Sequence, residues 1–154
     1  MIDDVALFLA HAVRLEADAA ETYERLALQM QERANVSVAA LFHQFAGYCR
    51  QHLAEAQERA AREAGGVLEL KPEEYRWPDG RSPEAPRPGD VQRLTVRGAL
   101  EMALDTERSA CDFYSAVAGQ TRSDEVQELA QEFAEEEAGH VEALERWLER
   151  LARP

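Results

Sequence analysis

The chain has 154 residues, and its 30 Asp and Glu outnumber its 17 Lys and Arg, which gives a formal net charge of −13. This length suits one globular domain, and a hydrophobic fraction of 45% argues against a disordered chain. The acidic charge disfavours nucleic acid and membrane surfaces as partners and favours cations as ligands. The chain has two cysteines, no basic signal region at its N-terminus and no apolar run of ~20 residues, so we expect a soluble, cytoplasmic, unprocessed protein.

The first half of the chain has the composition of two helices. Residues 3–33 form the first predicted helix, with Asp3 and Asp4 suited to its N-terminus. A break at 35–37 separates it from a second helix that ends before Gly65 and Gly66. Five of the six prolines then follow within residues 65–89, which predicts a loop that links the two halves.

The second half repeats this plan. Helices are predicted over 90–118 and 123–151, with Ser123 and Asp124 at the start of the last one. We therefore predict a single domain over residues 1–154, made of a helical hairpin at 3–64, a crossover at 65–90 and a second hairpin at 91–151.

The apolar residues of the helices recur at intervals of four and three, as in a helical bundle. The stripe of the first helix is Val5, Leu9, Ala12, Glu16, Ala19, Tyr23, Leu26. The stripe of the third helix is Val96, Leu100, Ala103, Glu107, Ala110, Tyr114, Val117, at a constant offset of 91 residues. The second and fourth helices match at an offset of 88, which pairs Cys49 with Glu137 and His52 with His140. This duplication predicts an all-α four-helix bundle with a long crossover.

Five ionisable side chains fall at one depth of these stripes: Glu16, His52, Glu107, Glu137 and His140. A carboxylate in an apolar interior is costly unless a partner compensates its charge. A single Glu of this kind is commonly an edge residue that reaches solvent, but five in register across a duplicated hairpin favour a metal site. Carboxylates and imidazoles that converge in a bundle core suit iron or manganese.

Several neighbouring side chains have a structural and a functional interpretation. Tyr23 and Tyr114 each follow a stripe Glu by seven residues, so they either hydrogen-bond the site or serve as large core side chains. Cys111 lies beside the third stripe, and Cys49 lies on the second. The two cysteines either form a redox-active pair or, as we favour, are small buried residues that fill space.

The remaining polar and aromatic residues have simpler interpretations. His11 and His43 have no counterpart in the other half, so we expect surface or partly buried histidines. The run Glu135–Glu137 is expected to be a solvated face apart from Glu137. Tyr75 and Trp77 are expected to attach the crossover to the bundle.

Three strings carry a resemblance to a known family: LEADAAETYERLA, LDTERSACDFY and FAEEEAGHVEAL. Ferritin-like di-iron carboxylate proteins carry one Glu on each of two helices and Glu-x-x-His on each of the other two. The stripes of this chain resemble that pattern. The chain looks most like the rubrerythrin-type branch of that superfamily. The resemblance covers all four helices.

The resemblance implies a role for each matching residue. Glu16 and His52 would ligate one metal, Glu107 and His140 the second, and Glu137 would bridge both. The family has a second bridging Glu where this chain has Cys49.

The cysteine leaves three alternatives open: a dinuclear site with a sulfur ligand, a mononuclear site, or a degenerate one. Glu55, one turn from His52, is a possible substitute ligand, although Ala56 continues the stripe.

The resemblance implies a non-haem iron protein, with two Fe per chain or with Mn or Zn in their place, that reduces peroxide or oxygen in oxidative-stress defence. We expect no catalytic residue beyond the metal ligands and no organic cofactor. The chain lacks the four-cysteine tail of some rubrerythrins, so the resemblance implies an external electron donor, and we expect a homodimer. Two rival functions remain: metal binding or iron handling without turnover, and a metal-free structural bundle.

Overall fold

The computed structural model of the protein describes residues 1–85 and 95–153. In this part of the chain there are four long α-helices and no strand, so the predicted all-α class is confirmed. The elements are α1 Val5–Glu32, α2 Val36–Ala64, a short 3-10 turn at Pro72–Glu74, α3 Val96–Gln120 and α4 Asp124–Ala152. Helix α1 packs along α2, and α3 packs along α4, so the bundle consists of two hairpins.

Each α-helix begins at a polar residue whose side chain accepts a hydrogen bond from a backbone N–H of the first turn. These bonds are 2.9–3.2 Å long, and the capping residues are Asp4, Asn35, Thr95 and Ser123. The sequence indicated Asp4 and Ser123 for this role. It placed the start of the third helix at about Asp90, which lies outside the described residues, and within them α3 begins at Val96.

Contacts of the N-terminus define how the hairpins are oriented. The Asp3 carboxylate accepts hydrogen bonds from the backbone N–H of Arg122, at 2.8 Å, and from its guanidinium, at 2.6 and 2.8 Å. Arg122 lies in the turn between α3 and α4. The start of α1 therefore lies beside the end of α3, and these two helices run antiparallel.

The apolar core consists of two clusters, one toward each end of the bundle. One contains Leu26, Met30, Phe42, Phe45, Leu100 and Leu144. The other contains Phe8, Leu9, Leu15, Phe113, Val126 and Leu129. The stripe carboxylates fall between the two in chain position on every helix that carries one. The clusters therefore isolate the polar residues from water along the bundle axis.

The crossover is attached to the bundle through His11, which is 0% exposed. Its Nδ1 donates to the carbonyl of Leu7 at 2.8 Å, and its Nε2 accepts from the backbone N–H of Arg76 at 2.8 Å. The rings of Tyr75 and Trp77 lie 5.2 and 4.8 Å from the imidazole, in edge-on contact. The expectation of a surface or partly buried His11 was wrong, because the crossover covers this residue and supplies its hydrogen bond.

Among the described residues, no helix combines the length and apolar character needed to cross a membrane. His43, unlike His11, is exposed as the sequence indicated.

Candidate metal centre

Three side chains on α3 and α4 converge in the middle of the bundle. Glu107, Glu137 and His140 each present a ligand atom, and these atoms lie within 4.8 Å of one another. The Nδ1 of His140 is 3.3 Å from the nearer Glu107 oxygen and 3.5 Å from the nearer Glu137 oxygen. The spacing of three residues on α4 brings Glu137 and His140 to one face, as the sequence predicts.

Glu16 extends this cluster from α1. Its side chain is buried, and its carboxylate hydrogen-bonds with Glu137 and accepts from the Cys49 thiol. Three buried carboxylates, Glu16, Glu107 and Glu137, therefore share one region of the core. That concentration of acid is costly in the absence of cations.

His52 lies at the edge of the cluster. Its Nδ1 is 3.8 Å from a Glu16 oxygen, and its ring stacks on that of His140 at a centroid distance of 6.0 Å. Its Nε2 is closer to Glu136, at 3.4 Å. Glu136 was expected on a solvated face, but it is half-buried and belongs to the periphery of the site. Here the cluster approaches solvent.

The carboxylates of the cluster hold protons rather than all being ionised. Burial, followed by the charges of Glu107 and Glu136, raises the pKa of Glu16 to about 8. Burial, followed by the charge of Glu107, raises the pKa of Glu137 well above its ordinary range. At neutral pH these two groups are mainly protonated, which relieves the repulsion among the buried acids.

Glu107 is the ionised member of the cluster. Burial acts to raise its pKa, but hydrogen bonds to the charged form outweigh burial and leave the pKa below its ordinary value. The donors are Glu137, His140 and Tyr23. Glu107 is thus already arranged as an anionic ligand.

The two histidines differ in their protonation. Burial lowers the pKa of His140, but the hydrogen bond to Glu107 and that residue's charge outweigh it and raise the pKa overall. Burial and then the charge of His140 lower the pKa of His52. His52 is therefore neutral near pH 7, which is the form that ligates metals.

The two tyrosines are fully buried but differ in their hydrogen bonds. Tyr23 donates its hydroxyl proton to Glu107 across the bundle. The Tyr114 hydroxyl has no hydrogen-bond partner within residues 1–85 and 95–153. Burial, then the charges of Glu16 and Glu137, raises the pKa of Tyr114, so this neutral hydroxyl faces the acidic cluster.

The cysteines occupy different environments. Cys49 is buried on α2 against Glu16, and burial, then the nearby carboxylates, raises the pKa of its thiol, so the sulfur is protonated in this structure. Cys111 is half-buried, and its sulfur lies 3.5 Å from the carbonyl oxygen of Ala134. Cys111 thus contacts the α4 backbone rather than the carboxylates. Glu55, a possible substitute ligand, is exposed and accepts from Gln51 instead.

Glu84 in the crossover is among the buried acids that sequence reasoning missed. It is 1% exposed, and its backbone carbonyl accepts from the Thr22 hydroxyl at 3.2 Å. A Glu in a proline-rich loop is ordinarily exposed, and no periodic pattern distinguished this one. Only the path of the crossover places it in the core.

Three comparisons with known proteins bear on this arrangement. Residues 98–153 match the family model of rubrerythrin. The crystal structure of an uncharacterized conserved protein from Magnetospirillum magnetotacticum MS-1 is similar, with 34% sequence identity and a TM-score of 0.80. The similarity covers 98% of this chain and 97% of that one. No curated protein gave a match.

A four-helix bundle of two hairpins with buried carboxylates and histidines at its centre defines a ferritin-like protein. Within that superfamily the chain belongs to the rubrerythrin family, which confirms the resemblance seen in the sequence. Members of the family typically bind iron, which supports a ferritin-like di-iron protein.

Proposed function

We propose that this protein is a rubrerythrin-like non-haem iron protein that holds a dinuclear centre and reduces peroxide or oxygen in oxidative-stress defence. The observation that carries the proposal is the cluster of Glu16, Glu107, Glu137 and His140 in the bundle core. Three buried acids at one place have no role in a stable apolar core. They are explained if cations replace their protons.

The chemistry of the donor set fits iron. Carboxylate oxygens and imidazole nitrogens are suitable ligands for iron, with manganese and zinc as competitors. The buried Tyr114 hydroxyl, without a partner in the described residues, is a further sign that the cluster is arranged around a group it would bind. If two ferrous ions were held there, they would supply the two electrons that reduction of an O–O bond requires.

The cluster residues would share the two metal ions between them. Glu16 and His52 would hold one ion, Glu107 and His140 the other, and Glu137 would bridge the two. Tyr23 keeps Glu107 ionised and oriented through its hydroxyl.

Access and electron supply are part of the proposal. The half-buried pair of His52 and Glu136 marks the side from which a small oxidant would enter. The two cysteines of the chain are too few to hold a relay iron, so an external donor would restore the reduced state. The apolar clusters on either side exclude bulk water.

The test begins with metal content. We expect about two iron ions per chain after anaerobic incubation with ferrous ion and gel filtration, and peroxide consumption that depends on the loaded metal. Glu137→Gln should lose both, whereas Glu135→Gln, an exposed neighbour in the same acidic run, should retain both. A wild-type protein that binds no metal would contradict the proposal and indicate a structural bundle.

Cys49 favours a second candidate function. Because a neutral thiol stands where the duplication calls for a carboxylate, the site could bind and pass on iron without turnover. Stoichiometric iron with no peroxide or oxygen consumption, in the presence of a chemical reductant, would indicate this function.

We also propose a homodimer, because closed twofold dimers are the commonest assemblies of soluble proteins. Light scattering coupled to gel filtration should give twice the mass of the chain. The mass of a single chain would contradict the dimer.

A further inference from the structure

The cluster comes closest to solvent between α2 and α4. The side chains of His52, on α2, and His140, on α4, are 18% and 12% exposed. Those of Glu16, Glu107 and Glu137 are 4%, 1% and 4% exposed. An ion or a small molecule that arrives from solvent on this side therefore meets the two imidazoles before it meets the carboxylates.

Three aromatic rings of α2 pack beside the His140 imidazole. The ring centroids of Phe45, Tyr48 and His52 lie 5.0, 6.0 and 6.0 Å from that of His140. All three rings are close to parallel with the imidazole, at interplanar angles of 27°, 12° and 15°. Phe45 is buried and His52 is half-buried, whereas Tyr48 is 40% exposed. Tyr48 is therefore the member of this group that forms the outer surface over His140.

Two contacts hold the Tyr48 ring in this position. The Gln44 side-chain amide, one turn earlier on α2, donates to the Tyr48 hydroxyl at 2.7 Å. The Phe45 ring supports the Tyr48 ring from beside it, with the centroids 6.4 Å apart. An exposed side chain on a helix has more than one rotamer available, so these contacts favour the rotamer that stacks on His140.

The Tyr48 ring can leave this position without movement of the backbone. Side chains at the surface change rotamer rapidly, and the stacked rotamer is opposed only by the loss of one exposed hydrogen bond and of the ring contacts. Because the hydroxyl is bonded to Gln44, it is not directed at the carboxylates. Tyr48 thus contacts the site through its ring alone.

We propose that Tyr48 controls access from solvent to His140 and, through it, to the metal centre. This inference rests on the proposed function for its second part only, since the covering of His140 is a property of the bundle itself. The stacked ring slows the entry and exit of ions and small oxidants between α2 and α4, and rotation of the ring admits them. Tyr48 supplies no ligand atom, so it acts on the rates of binding and release and leaves the metal affinity unchanged.

The first test measures the exposure of His140 without metal. Diethyl pyrocarbonate modifies accessible imidazoles, and peptide mass spectrometry resolves the four histidines of the chain. In Tyr48→Ala we expect the rate of modification at His140 to rise about tenfold. His43, which is exposed, and His11, which is 0% exposed, should react at their wild-type rates.

Two further variants separate the ring from its hydrogen bond. Gln44→Ala keeps the Tyr48 ring but removes the donor that holds it, so the rate at His140 should rise by less than in Tyr48→Ala. Gln51→Ala is the matched control, because this exposed glutamine of α2 donates to Glu55 instead. Its His140 should react at the wild-type rate.

The second test follows metal exchange rather than activity. Uptake of Co²⁺ by the metal-free protein and its release to a chelator are both measured by visible absorption after rapid mixing. In Tyr48→Ala both rates should rise about tenfold, so that their ratio and the Kd stay at the wild-type values. Faster release with unchanged uptake would show that Tyr48 holds a ligand in place, and it would overturn the access role.

The outcomes distinguish this inference from the proposed function. An unchanged rate at His140 in Tyr48→Ala would overturn the inference whether or not the protein binds metal. An equal rise at His11 would show that the substitution loosens the whole bundle, and it would also overturn the inference. A wild-type protein that binds no Co²⁺ would contradict the metal centre, while the modification rates would still decide whether Tyr48 covers His140.

Discussion

At the scale of single residues, the site is organised by proton sharing. Glu107 is ionised because neighbouring groups donate to it, while Glu16 and Glu137 hold protons because burial and like charge oppose their ionisation. Metal binding must release those protons, so the affinity for divalent cations should rise with pH.

The stability of the metal-free protein should fall between about pH 6.5 and 8. Glu16, Glu137 and His140 have raised pKa values in the folded state, so the folded protein binds these protons more tightly than the unfolded chain does. Each such group removes up to about 1.4 kcal/mol of stability per pH unit while it is protonated only in the folded state. The lowered pKa values of Glu107 and His52 change the stability only at lower pH than this range.

Urea denaturation of the chelator-treated protein at half-unit steps of pH measures this effect. Glu16→Gln should flatten the decline, and the exposed Glu135→Gln should follow wild type. A stability that rises toward pH 8 would show that the buried acids are ionised without metal.

Tyr23→Phe tests the hydrogen bond to Glu107. Loss of the hydroxyl removes a donor that holds a ligand in place, and we expect metal affinity to fall about tenfold or more. Competition with a chromophoric chelator measures the metal affinity. Tyr75→Phe, a tyrosine of the crossover, is the control, and equal affinities in the two variants would argue against a role for the Tyr23 hydroxyl.

At the scale of elements, the crossover is a structural part of the bundle. His11 accepts a hydrogen bond from the Arg76 N–H and contacts two aromatic residues of the crossover. Its ring also stacks on that of Phe113, with the ring centroids 6.0 Å apart. These contacts hold the segment that leads to Glu84. The position of that acid thus depends on interactions made near residue 76 as well as on Thr22.

His11→Ala should lower the free energy of unfolding by about 2–4 kcal/mol, because it opens a cavity and leaves the Arg76 N–H unsatisfied. His43→Ala removes an exposed histidine and should change stability by no more than about 0.5 kcal/mol. Urea denaturation of both variants provides the measurement. Equal effects of the two substitutions would indicate that His11 does not anchor the crossover.

At the scale of the whole molecule, the proposed metal centre would link the two hairpins. Glu16 and His52 come from the first hairpin, and Glu107, Glu137 and His140 from the second. Bound ions would replace the protons that these acids now hold and would cross-link the hairpins, so metal should stabilise the bundle as a unit.

Thermal unfolding with ferrous ion under anaerobic conditions, compared with chelator, tests this coupling. Free metal at one hundred times its Kd should add about 2.7 kcal/mol. Glu137→Gln should lose most of that gain, and Mg²⁺ is the control for a general ionic effect. An identical unfolding curve with ferrous ion and with chelator would favour the structural bundle.

The sequence by itself determined the four helices, the duplication and the register of the carboxylates. Helical periodicity is local, so the spacing of Glu137 and His140 predicts their convergence without knowledge of the fold. The constant offsets relate Glu16 to Glu107 in the same way, and they also identify Cys49 as the position where the symmetry fails.

Only the tertiary structure decided the burial of the crossover residues and the partners of the site. Glu84 and His11 lie outside any repeat, and their burial results from how an irregular segment crosses the bundle, which no local pattern encodes. The closeness of Glu136 to His52 likewise depends on the approach of α2 and α4. The physical reason is that side-chain periodicity specifies which face of a helix is buried, whereas contacts between segments far apart in the chain are set by packing.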